Sequence, residues 1–163
     1  MRRVVVTGIG TINSTGHNVK DSFEAVVNGV CGIDAITLFD ASEFSVKIAG
    51  EVKDFDPTTV MDKKEVKKAD RFIQLGIKAA LEAMIDSGYV TQEDKKVDAS
   101  IADRFGMISG SGIGGLSTIE RNSVVCETKG SRKVSPFFIP SSLANMLSGF
   151  ISIEHNLRGP SLS

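Results

Sequence analysis

The chain reads as an α/β domain built on a mixed, mostly parallel sheet, and three stretches predict it. Residues 3–12 hold β-branched side chains on both alternation phases, as in a strand covered on two faces. Residues 61–87 carry one long helical stripe. Residues 105–108 are a short apolar run that breaks into Gly110-Ser111-Gly112-Ile113-Gly114-Gly115 and then into the helix-forming Leu116-Ser117-Thr118-Ile119, giving strand, glycine turn and helix. A length of 163 residues suffices for one core, and 41% apolar against 24% charged residues excludes a disordered or fibrous chain.

Taken in order, the first run meets Gly8 and Gly10, after which Val19, Phe23, Val26 and Val27 recur at helical spacing, with Gly29 placed for a left-handed cap. Residues of about 30–60 are irregular and read as an insertion, with one short strand within 46–52. In the long stripe Val66, Ala69, Phe72, Ile73, Gly76, Ile77, Ala80, Leu81 and Met84 share a face, and Gly88 ends it. Its first two turns hold Lys63, Lys64, Lys67 and Lys68, where cations oppose the helix dipole at about 0.3–1 kcal/mol apiece. A solvated face is the plain reading of such a group.

Residues 91–103 are polar enough for a surface loop. The helix after the glycines reaches about Thr128, and Lys129-Gly130-Ser131-Arg132-Lys133 forms a basic turn. Two prolines in Ser135-Pro136-Phe137-Phe138-Ile139-Pro140 argue against regular helix there. Ser141 or Ser142 then caps a last helix to about Asn156. Its small residues suit a buried position, and Arg158-Gly159-Pro160 closes it.

Nineteen basic and twenty acidic side chains leave no global field for nucleic acid. No apolar run has membrane-spanning length, so no membrane insertion is expected, and two cysteines without a signal-peptide pattern fit a cytoplasmic location. His17 and His155 stand alone, as surface or helix-end residues and not metal ligands. Neither Cys31 nor Cys126 has neighbours that would activate a thiol, so no catalytic residue is assigned. The glycine turn satisfies G-x-G-x-x-G, but residues 129–138 offer no acid to hold a ribose. An NAD-dependent oxidoreductase is therefore a remote reading, and no cofactor is expected.

Five motifs then occur in order: Arg2-Arg3-Val4-Val5-Val6-Thr7-Gly8-Ile9-Gly10, the helix from Lys64 through Asp70-Arg71-Phe72 to Gly76, the glycine turn, Ser135-Pro136-Phe137-Phe138-Ile139-Pro140-Ser141, and Leu157-Arg158-Gly159-Pro160-Ser161. Together they resemble the N-terminal part of the β-ketoacyl-acyl carrier protein synthases of the second type, condensing enzymes of bacterial fatty-acid synthesis. The resemblance implies a thiolase-like fold of layered α-β-α architecture, with residues 1–163 as one N-terminal domain. It also implies a homodimer that joins acyl and malonyl thioesters delivered on acyl carrier protein. In the family a Thr-Ala-Cys motif follows Gly-Pro-Ser. The nucleophilic cysteine and a histidine pair are thus expected beyond Ser163, and the chain alone is expected to be inactive.

Carried onto this sequence, the resemblance makes Gly112 and Ile113 walls of an acyl channel and sends Phe138 across the dimer. It makes Lys63, Lys64, Lys67, Lys68, Arg132 and Lys133 a docking surface for the acidic carrier protein. A non-catalytic carrier-protein-binding or dimerisation module is the alternative.

Overall fold

The computed structural model describes residues 2–163. The chain runs through α1 (Val19–Val27), β1 (Asp34–Ala35), β2 (Ile48–Ala49), α2 (Lys63–Val66), α3 (Arg71–Asp86), β3 (Met107–Ile108), α4 (Leu116–Lys129), α5 (Phe138–Ser142), α6 (Met146–His155) and β4 (Ser161–Leu162). The interior lies between α3 and α6. Ile73, Ile77 and Leu81 repeat every four residues on α3 and are buried with Ile151 of α6, Leu157, Val60, Val90 and Val97. Burial at these α3 positions contributes about 1.5–3 kcal/mol apiece.

Two strand pairs flank this core. β1 and β2 are antiparallel, with Asp34 opposite Ala49, so the strand sought within 46–52 is found at Ile48–Ala49. β3 and β4 are parallel, with Met107 opposite Ser161 and Ile108 opposite Leu162. α6 packs beside that pair, and its buried Ser148 donates to the carbonyl of Leu162 at 2.7 Å. The single hydroxyl proton of Ser148 is thereby used, so the 2.6 Å contact with Ser109 is a hydrogen bond donated by Ser109.

Several expectations change. Residues 3–12 form no regular element, and Val4, Val5 and Val6 are 96%, 72% and 82% exposed. A strand covered on two faces needs neighbouring strands, and none pairs with it among the described residues. Its ties are instead to the end of α3, where Asp86 accepts from the Ile9 amide at 2.9 Å and Glu82 from the Thr11 amide at 3.1 Å. The apolar stripe of α1 is likewise open, with Phe23, Val26 and Val27 exposed.

The stripe at 61–87 is two helices, because Asp70 leaves helical geometry and caps α3. Lys67 and Lys68 accordingly follow the carbonyl end of α2 and do not occupy the first turn of α3. Helix does form in the second half of the stretch that begins at Ser135, at Phe138–Ser142, since Pro140 is the third residue of α5, where an amide has no intrahelical acceptor to lose. Ser141 and Ser142 end α5 instead of starting α6, which begins at Met146 and stops at left-handed Asn156.

The loop at 91–103 is not wholly superficial, because Val97 and Ala102 are buried. His155 ends a helix but is fully buried, its Nδ1 2.7 Å from the carbonyl oxygen of Lys95.

Candidate functional site

The glycine turn has an anchored end and a free tip. At the anchor, Gly114 has φ +79, and a Cβ there would run into the carbonyl oxygen of Ser142. A Cβ on Gly115 would run into that of Ser141, so only glycine lets the turn lie this close to α5. The Gly115 amide donates to the Ser142 carbonyl at 3.0 Å, and the Gly114 amide to Ser111 Oγ at 2.9 Å. At the tip Gly110 and Gly112 face open space and Ile113 is 64% exposed.

Asp70 joins this anchor to α3. Its Oδ1 accepts from the Phe72 amide at 3.4 Å, and its Oδ2 accepts from the Thr118 amide in the first turn of α4 at 2.9 Å. One buried carboxylate therefore meets the positive ends of two helices, an arrangement that stabilises negative charge. Two residues earlier, the Lys68 carbonyl accepts the Ser141 hydroxyl at 2.6 Å. Sequence reading passed over Asp70 as part of a continuous helix. Its signal was an Asp directly before a run of apolar residues at helical spacing, the ordinary mark of an N-cap.

The same contacts decide against a dinucleotide. A pyrophosphate would need the free amides of this helix N-terminus, yet those of Gly114, Gly115 and Thr118 are committed and a carboxylate already occupies the position.

The basic residues form two groups, one in and after α2 and one between α4 and α5. Lys63, Lys64 and Lys67 are exposed and make no ion pair among the described residues. Lys68 is half-buried, pairs with Glu65 at 2.6 Å and sits 5.6 Å from the centre of the Phe137 ring. Arg132 and Lys133 are exposed in the turn between α4 and α5. Phe137 and Ser141 thus connect the lysine segment to the segment that follows the basic turn. Phe138 opens α5 and is half-buried; its carbonyl accepts the Ser142 hydroxyl, at the end of α5 that holds the glycine turn.

The site belongs to a mixed α/β domain whose glycine-rich strand-to-helix turn is backed by a short helix. The profile of the family "Beta-ketoacyl synthase, N-terminal domain" matches residues 1–163. The chain belongs to that family.

Among curated relatives, a 3-oxoacyl-(acyl-carrier-protein) synthase 2 of Coxiella burnetii is 44% identical over 162 residues, 99% of this chain and 38% of that protein. The synthase of the same name from Vibrio harveyi is 48% identical over the same length and shares. The chain therefore spans less than two-fifths of these relatives. Among solved structures, the ishigamide ketosynthase/chain length factor superposes with a TM-score of 0.78 at 29% identity, over 99% of this chain and 38% of that one. A type II polyketide acyl-carrier protein in complex with its hexaketide-bound ketosynthase gives a TM-score of 0.73 at 23% identity, over 97% and 40%.

Proposed function

We propose that the chain is the N-terminal domain of a 3-oxoacyl-acyl carrier protein synthase of type II fatty-acid synthesis, an acyltransferase acting in the cytoplasm as a homodimer. The observation that carries this reading is the joining of an open apolar turn to a basic segment through Asp70 and Ser141. A channel wall and a docking surface are then parts of one rigid unit. In the whole protein, a cysteine thiolate outside these residues takes the acyl group from carrier protein. A malonyl group on carrier protein loses carbon dioxide, and its carbanion attacks the resulting thioester. The thiolate leaves and the 3-oxoacyl product remains on carrier protein. Histidines outside the chain and backbone amides stabilise the enolate and the oxyanion.

This chain supplies the surroundings. Gly112 and Ile113 line the acyl channel, where an alkyl chain needs room and apolar contact, and Phe138 closes the channel of the dimer partner. Lys63, Lys64, Lys67, Lys68, Arg132 and Lys133 attract the acidic carrier protein, with the unpaired lysines contributing most. The solved ketosynthase held in complex with an acyl-carrier protein supports that partner class. Among the described residues no helix is long and apolar enough to cross a membrane.

Charge reversal at two unpaired lysines tests the reading. In the full-length protein, Lys64→Glu with Lys67→Glu raises the KM for acyl-carrier protein about tenfold, with kcat close to wild type. Steady-state kinetics with carrier protein as the varied substrate measures this, and an unchanged KM contradicts the docking assignment.

A further inference from the structure

The turn at 110–115 is flanked by Ser109, fixed to Leu162 and Ser148, and by Gly115, fixed to α5. Its tip has no neighbours at Gly110 or Gly112. A segment with a free tip takes its position from its two flanks, and the side chain at the centre of the flank that follows Ile113 is Asp70. Its Cβ lies 3.1 Å from where a Cβ on Gly115 would stand, and its carboxylate is shared between the Phe72 and Thr118 amides. No cation pairs with it among the described residues; Arg71 turns away to the carbonyl oxygens of Val52 and Phe55. The counter-charge of the carboxylate is thus the pair of helix N-termini that it joins.

Resting on the synthase reading above, we propose that Asp70 is a positioning residue for acyl-chain selection. By fixing α4 to the start of α3 it sets where Ile113 stands, and so how deep an alkyl chain can enter. Two oxygens are needed because each serves a different helix. An asparagine offers one acceptor oxygen in the same shape and releases one of the two ends. A serine still caps α3 but is too short to reach Thr118, so it releases α4 selectively.

The test uses the full-length protein with octanoyl- and palmitoyl-carrier protein as competing substrates and malonyl-carrier protein as extender. The variants are Asp70→Asn, Asp70→Ser and, as a control in the core face of α3, Ile77→Val. The ratio of kcat/KM for the two chains shifts about fivefold in the Asp70 variants and stays within about twofold of wild type in the control. An Asp70 variant that is active with the wild-type ratio overturns the inference. So does loss of folding in both variants, which makes the role purely structural, or an equal shift in Ile77→Val, which makes it general softening. A wild-type protein that condenses neither acyl group contradicts the synthase reading itself, and with it the inference that rests on it.

Discussion

A single buried hydroxyl registers β3 against β4. Ser148 of α6 accepts from the Ser109 hydroxyl and donates to the Leu162 carbonyl, so one side chain spans a helix and two parallel strands. Ser148→Ala removes both bonds and leaves the Ser109 hydroxyl without this partner, at a cost of about 1–2 kcal/mol in the unfolding free energy of the full-length protein. Urea denaturation measures it, and an unchanged midpoint contradicts the assignment.

At this scale the sequence was legible where a residue acts through its own backbone. Gly29 and Gly88 take the positive φ that their positions at helix ends required. It was not legible where a side chain acts across the fold. Asp70 and Thr118 are far apart in the chain, and so are Ser141 and Lys68; nothing in either local pattern announces the other. His155 escaped for the same reason, since its burial depends on the loop around Lys95 folding over it.

Elements were readable by period and misread at their ends. The apolar stripe of α3 and the helix after the glycines follow directly from spacing, because packing on one face enforces it. The division between α2 and α3 instead reflects a contest between helix continuation and the cap at Asp70, and the cap prevails because its carboxylate also serves α4. Pro140 misled in the other direction, since a prohibition valid in a helix interior does not hold in the first turn.

The β1–β2 hairpin shows how an element this short responds to pH. Lys53 hydrogen-bonds Asp34 at 2.8 Å and, with the Ala35 amide, holds its carboxyl below the ordinary value of 3.8. Glu51 is likewise lowered by the hydroxyl and amide of Thr37. A lowered carboxylate stabilises the fold above its unfolded pKa, and that contribution is lost as pH falls through the lowered value. Hydrogen exchange should therefore show the protection factor of the Ile36 amide, which donates to the Lys47 carbonyl at 2.9 Å, holding above the carboxylate range and declining below it. A protection factor that is flat through that range contradicts the assignment.

For the whole molecule the strongest physical signal is what remains uncovered. Residues 4–6, the stripe of α1, Ile108 beside Leu162 and the tip at Ile113 are all apolar and exposed. The chain spans only 38% of the length of its curated relative from Coxiella burnetii. The family and the run of motifs were legible from end to end, because glycine and proline positions mark turns that the fold requires. The open faces were not, since a two-faced strand reads the same whether or not its neighbours are at hand. The most direct measurement is condensation by the full-length protein. Incubated with an acyl-carrier protein and carboxyl-labelled malonyl-carrier protein, it should release the label as carbon dioxide and yield a 3-oxoacyl product, seen by mass spectrometry, extended by the malonyl-derived carbon pair. Full retention of the label on malonyl-carrier protein, with the acyl chain unextended, would contradict the account.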